Sequence, residues 1–321
     1  MNHTTTYDQI FAQDVLQGLS SPQKSLPSKY FYDEKGDKLF QAIMALPEYY
    51  LTRTEYAILE SYKDKILAPF IKTNQPFNLV ELGAGNGLKT KILIRFLCDQ
   101  KVEFTYFPID ISGNVLRELE DDLTEICPQL IVNSITGTYR NSLKDKIWNN
   151  GDQTLMLFLG SNYGNFLEED AKELLQKITE SLQPGDGLLM GFDLKKDPEL
   201  ILAAYNDVKG VTRDFNLNLL ERINRELGAN FVLDKFKHWP VYNPVSGECK
   251  SYLVSLEQQD VHLEALNKTF HFNKAEPIFT EVSKKYGLHD IADLSREKGF
   301  DVVNNFMDEE AFFSDSLWVK V

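Results

Sequence analysis

The run Val80-Glu81-Leu82-Gly83-Ala84-Gly85-Asn86-Gly87 constrains this chain more than any other stretch. An apolar segment beginning at Phe77 ends in three glycines at alternate positions, and a helical pattern over residues 88–97 follows at once. Glycine lets the backbone turn tightly and pass close to a ligand. At the carboxyl end of a strand in an open α/β sheet, such a turn is where nucleotides bind. The rhythm then repeats. Residues 102–112 read as a strand ending in Asp110, 113–123 as a helix and 129–137 as a strand. Residues 154–165 read as a strand entering a polar loop, 168–182 as a helix and 185–194 as a strand. Alternation of this kind predicts a parallel sheet covered by helices on both faces.

After Asp193 the rhythm breaks. Residues 198–228 are helical in pattern, 250–283 alternate like antiparallel strands, and the last segment, 315–321, reads as an edge strand. The expected organisation is an α/β domain of residues 61–194 plus 286–321, interrupted by an α+β unit of residues 1–60 plus 195–285. In that unit, "LPEYYLTRTE" (46–55) pairs Thr52 with Glu55 as a capping box at a helix start. The capping box leaves Tyr49 and Tyr50 unexplained.

The chemistry of the glycine turn narrows on what surrounds it. No GKS or GKT follows the glycines, which argues against a phosphate-binding loop. Glu81 precedes the turn, and Asp110 ends the next strand, where a carboxylate can accept ribose hydroxyls. Lys89 follows the turn, and Thr138 and Tyr139 follow the third strand. The motif "SLQPGDGLLMGF" (181–192) resembles the helix-to-strand turn of class I S-adenosylmethionine-dependent methyltransferases. A sulfonium cofactor carries no phosphate, and an acidic site suits its ribose, ammonium and positive sulfur. Methyl transfer from S-adenosylmethionine is therefore the first reading, a nicotinamide oxidoreductase the second, and an idle amino-acid-binding relative the third. The formal net charge of -14 disfavours nucleic acid and anionic membrane as partners. Cys98, Cys127 and Cys249 are odd in number and far apart, which argues against disulfides and a zinc cluster. The histidines form no HxxxH or HExxH motif, so no metal is expected. The N-terminus lacks a signal-peptide pattern and no run reaches membrane-span length, so a cytoplasmic monomer acting on a small molecule is expected.

Several segments together resemble one family. "SKYFYDEKGDKLFQAIMALPEYYLTRTE" (28–55), "VELGAGNGLKTKILI", "FPIDIS", "FLGSNYGNF", "FDLKKDP", "AAYNDVKGVTRDFNLNLL" (203–220) and "FTEVSKKY" (279–286) are similar to the histidine Nα-methyltransferases of ergothioneine biosynthesis. The resemblance spans nearly the whole chain in order. It implies a class I (Rossmann-like) methyltransferase fold with an inserted α+β substrate-binding domain. It also implies trimethylation of the histidine α-amine. By the same resemblance, Tyr32 and Tyr49 orient the amine, Asn165 and Tyr205 anchor the substrate carboxylate, and Glu281 and Ser283 face the imidazole. The expected cofactor residues are Glu81, Gly83, Gly85, Lys89, Asp110, Thr138 and Tyr139. This sequence departs from the family pattern in two places. Ser251 falls where histidine-specific members tend to carry methionine, and Thr138 where an acidic residue often meets the adenine amine. A family branch acts on prenylated tryptophan; Glu281 and Ser283 favour histidine instead.

Overall fold

The computed structural model describes residues 4–73 and 75–321. They divide into two compact units, one of residues up to 50 with 196–284, the other of residues 51–195 with 285–321. In chain order, α1 (Thr4–Ser20) and α2 (Glu34–Met44) open the smaller unit, with a 3-10 turn at Ser28–Phe31 between them. The larger unit follows with α3 (Leu51–Leu67), β1 (Phe77–Leu82), α4 (Thr90–Asp99), β2 (Phe104–Asp110) and α5 (Gly113–Ile126). Next come the short strands β3 (Ile131–Val132) and β4 (Ile135–Thr136), then α6 (Tyr139–Asp145) and β5 (Gln153–Phe158). A 3-10 turn at Asn162–Asn165, α7 (Glu168–Ser181) and β6 (Gly187–Asp193) complete this stretch. The smaller unit resumes with α8 (Pro198–Tyr205), α9 (Val211–Leu227), β7 (Phe236–Asn243), β8 (Glu248–Ser255), β9 (Gln259–Leu263), β10 (Lys268–Phe272) and β11 (Pro277–Lys284). The larger unit closes with α10 (Leu288–Glu297), β12 (Phe300–Met307) and β13 (Phe313–Lys320).

The sheet of the larger unit runs β12-β13-β6-β5-β1-β2-β3, with β4 also on β2. Strands β6, β5, β1 and β2 are mutually parallel, and β13 is antiparallel to both β6 and β12. This is the class I methyltransferase order. The chain leaves β1 toward β2 and returns to β5 on the other side, so the carboxyl ends of β1 and β5 flank a switch point. Every residue of β1 is buried, as a strand covered on both faces requires. One face packs Ile58, Leu59, Leu93, Leu97, Leu119 and Leu123 of α3, α4 and α5. The other packs Leu143, Leu174, Leu175, Ile178 and Ile291 of α6, α7 and α10.

Several sequence expectations are corrected here. The C-terminal strand is not an edge: β13 lies between β12 and β6, and β12 is the edge. Strand β12 escaped notice because Asn304 and Asn305 interrupt its apolar run at a register shift after Val302. Residues 129–137 form two short strands rather than one. Helix α3 begins at Leu51, so Thr52 lies inside it and does not cap it. Residues 51–60 belong to the larger unit, because Ile58 and Leu59 pack into its core. Cys98 and Cys127 form a disulfide with Cα atoms 6.2 Å apart, inside the normal range for such a bond. They lie in α4 and just past α5, helices packed on one face of the sheet, so a separation of 29 residues becomes contact.

The smaller unit carries an antiparallel sheet, β11-β8-β7, and a hairpin of β9 and β10. Burial alternates along β8, the mark of a sheet with one face on a core. Phe11, Val15, Phe31, Leu219, Ile223 and Phe272 form that core.

Candidate active site

The glycine turn at the end of β1 has the geometry the motif predicts. Gly83, Gly85 and Gly87 all adopt positive φ, at 77°, 53° and 64°. A Cβ on Gly83 would lie 2.5 Å from the Tyr139 hydroxyl, whereas at Gly85 nothing lies within 4 Å. The backbone at Gly85 thus borders open space. Asp110 faces this turn from the end of β2. Its Oδ2 accepts the Gly85 N–H at 3.0 Å and its Oδ1 accepts the Ser112 N–H at 2.9 Å. Each carboxylate oxygen keeps a second lone pair for a ligand hydroxyl. Gly137 donates its N–H to the Asp110 carbonyl at 2.9 Å, which brings the Thr138–Tyr139 segment alongside. Thr138 precedes α6 with an exposed side chain that makes no capping bond. The Tyr139 ring is fixed edge-on to Phe158, 5.5 Å between centroids. Burial, with Asp110 and Glu81 nearby, raises its hydroxyl pKa.

Glu81 does not present a free carboxylate to a ligand. It is 4% exposed, and its two oxygens accept hydrogen bonds from Thr90 and Tyr106. Burial raises its carboxyl to about 7 against the opposing pull of those two donors. It braces the turn from behind. Lys89 also has a partner: its ammonium pairs with Glu55. Glu55, read from the sequence as half of a capping box, is wholly buried and also accepts the Gly160 N–H at 2.7 Å. Gly160 begins the loop after β5, on the other side of the switch point. Asn165 ends the 3-10 turn of that loop and is half-buried.

These residues suit S-adenosylmethionine. The open approach at Gly85 admits a ligand against the backbone, and Asp110 offers acceptors to ribose hydroxyls. At the N-terminus of α4, Lys89 and Thr90 are engaged by the Glu55 and Glu81 carboxylates rather than turned to a phosphate.

In the smaller unit, Tyr205 donates its hydroxyl hydrogen to Ser283 Oγ at 2.8 Å, with both residues buried. Glu281 lies two residues before Ser283 on β11, so both side chains leave the same face of the strand. Across the sheet, Glu281 pairs with Ser251 and Ser283 with Cys249. Tyr49 is half-buried with its ring edge-on to Phe40, 6.4 Å between centroids. Its neighbour Tyr50 is different: its hydroxyl accepts from the Lys196 ammonium at 2.9 Å, and the same ammonium lies 4.4 Å from the ring centre. Tyr32, 43% exposed, stands edge-on to Phe40 and Phe215, 5.7 Å from each.

Sequence reasoning missed His238. It lies 3.3 Å from Ser251 Oγ through Nε2, is buried, and is held neutral, its pKa lowered to about 4 chiefly by burial and also by Arg213. It also missed Asp315, a wholly buried acid in β13. His238 sits at an inward position of the alternating strand β7, whereas β13 is buried on both faces around Asp315.

Comparison with known proteins now adds to this geometry. The family model described as histidine-specific methyltransferase, SAM-dependent, matches residues 11–320. The chain is 36% identical over 308 residues to the histidine N-alpha-methyltransferase of Mycolicibacterium smegmatis, covering 96% of this chain and 94% of that protein. It is 33% identical over the same length to the histidine N-alpha-methyltransferase of Mycobacterium tuberculosis, with the same coverage. It is 28% identical over 327 residues to ergothioneine biosynthesis protein 1 of Schizosaccharomyces pombe, covering 98% of this chain and 42% of that protein. Between the two enzyme readings that the glycine turn left open, these matches select methyl transfer over nicotinamide chemistry. The strand order, the glycine turn facing Asp110 and a family match over nearly the full length agree: the chain belongs to the S-adenosylmethionine-dependent, histidine-specific methyltransferase family.

Proposed function

We propose that this chain methylates the α-amine of L-histidine with S-adenosylmethionine and repeats the transfer to the trimethylated betaine. The names of the full-length relatives support the substrate. The observation that carries the reading is the hydrogen bond from Tyr205 to Ser283, with Glu281 on the same strand face. A neutral imidazole has one N–H and one bare nitrogen. In this reading the Ser283 hydroxyl meets the bare nitrogen and the Glu281 carboxylate accepts the N–H. Buried polar groups arranged this way reject a side chain that leaves them unpaired.

Bound S-adenosylmethionine supplies a methyl group made electrophilic by its sulfonium. The residues of the chain position the reactants, which accounts for much of the rate in such a displacement. Gly83, Gly85 and Asp110 hold the cofactor, with Lys89, Thr138 and Tyr139 alongside. Asn165 donates its amide to the substrate carboxylate. Tyr49 and Tyr32 orient the amine lone pair, and an aromatic face suits a nitrogen that becomes cationic, by about 0.5–2 kcal/mol. No side chain has to act as a strong base, since the amine loses each proton to water. The test is mass spectrometry of histidine, tryptophan, tyrosine and phenylalanine incubated with protein and S-adenosylmethionine. Histidine should gain 14, 28 and 42 mass units, on the order of one CH2 per transfer, as positioning of one amine requires. Methylation of another amine with histidine untouched would overturn the substrate assignment.

A further inference from the structure

Two buried carboxyl groups meet one lysine behind the glycine turn. Glu55 of α3 and Asp315 of β13 are both wholly buried. Glu55 accepts the Lys89 ammonium on one oxygen and the Gly160 N–H on the other. Asp315 pairs across the sheet with Gly191 of β6. It shares its strand face with Phe313 and Leu317, which line the apolar core under α3. The missing Cβ of Gly191 leaves room that Glu55 fills: a Cβ there would lie 2.4 Å from Glu55 Oε1. Among the described residues, neither oxygen of Asp315 has a hydrogen-bond donor.

A bare carboxylate in that position would be desolvated, unpaired and beside a second negative charge. One lysine neutralises one of the two acids. Burial above all, then the Glu55 charge, pushes the Asp315 carboxyl well above its ordinary range. A proton on Asp315 removes the unmatched charge and makes it a donor.

We propose that Asp315 is a protonated acid that donates to Glu55, and that this pair fixes Lys89 and the Gly160 amide at the cofactor site. Glu55 and Asp315 are then positioning residues, because neither has to touch cofactor or substrate. Lys89 follows the glycine turn of β1, and Gly160 starts the loop of β5. One acid pair therefore sets the loops on both sides of the switch point. The proposal rests on the cofactor role assigned above to that turn.

The test combines infrared spectroscopy with calorimetry of S-adenosylhomocysteine binding. In a Glu81→Gln background, which removes the other buried acid that titrates near neutrality, the protein should show the carbonyl band of a protonated carboxylic acid at neutral pH, and adding Asp315→Asn should abolish it. Asparagine keeps a donor toward Glu55, so Asp315→Asn should bind S-adenosylhomocysteine within about twofold of wild type. Asp315→Leu removes the donor and should weaken binding about threefold to tenfold, the range for one lost hydrogen bond. Absence of the band, equal losses in the Asn and Leu variants, or wild-type binding by a folded Leu variant would each overturn the proposal. Should Asp315→Leu fail to fold, the band and the Asn variant still decide. Neither readout uses histidine. A wild type that failed to bind S-adenosylhomocysteine would instead overturn the cofactor site itself.

Discussion

Gly191→Ala is a test of space rather than of backbone strain. Gly191 lies within β6 in ordinary extended backbone, so alanine is acceptable to the main chain. Its new Cβ would stand 2.4 Å from Glu55 Oε1, 3.1 Å from Phe313 Cζ and 3.2 Å from the Gly160 nitrogen. Of these, only the Glu55 carboxylate can swing, and Oε1 is the atom that accepts the Gly160 N–H. Losing a hydrogen bond to a charged group costs about 1.5–3 kcal/mol. Forcing an extra methyl into a packed interior costs about 1–3 kcal/mol. The sum is about 2.5–6 kcal/mol, taken from the larger unit alone. At about 2–4 °C per kcal/mol for a unit of this size, its melting midpoint should fall by roughly 5–24 °C. Thermal unfolding followed by calorimetry measures this directly. A second arm makes the reasoning sharper: with Glu55→Ala already in place, Gly191→Ala should cost under about 1 kcal/mol, since contacting residues are non-additive. A single Gly191→Ala variant that melts with wild type would refute the picture of Glu55 wedged against β6. So would equal costs in the two backgrounds.

Tyr205→Phe removes the hydrogen bond to Ser283 and should raise the KM for histidine about twofold to tenfold. Its S-adenosylhomocysteine affinity should not change; a loss there and not in histidine KM would remove Tyr205 from substrate recognition. His238 supplies a pH signature. Its folded pKa is about 4 against an ordinary 6.5, because burial keeps the ring neutral. Below 6.5 the unfolded chain takes up a proton that the folded chain refuses, so stability falls as pH drops from 6.5 toward 4. The loss approaches on the order of 3 kcal/mol by pH 4. His238→Gln keeps a donor for Ser251 but does not titrate, and denaturant midpoints between pH 7 and pH 4.5 should fall less steeply for it than for wild type. Identical slopes would show that His238 is not buried as described.

The sequence by itself determined the parts of this protein that depend on near neighbours. An apolar strand running into Gly83, Gly85 and Gly87 has few alternatives, because positive φ and close ligand approach are local demands on the backbone. The strand–helix alternation dictated a parallel sheet, and Asp110 was legible because a carboxylate at a strand end lies beside the next turn. The tertiary structure alone decided what depends on distance along the chain. Glu55 reads locally as a cap, yet its partners are Lys89, 34 residues away, and the Gly160 amide, 105 residues away. Its burial follows from α3 packing on a sheet whose β6 carries glycine at position 191, against the Glu55 carboxylate. Cys98 and Cys127 pair because two helices share a sheet face, and no spacing rule announces that. Strand β13 looks like an edge because it ends the chain. It lies inside the sheet because β12 folds back along it, and that turns Asp315 from a solvated acid into a buried one. Periodicity reports which face of an element is apolar; only packing reports what that face meets.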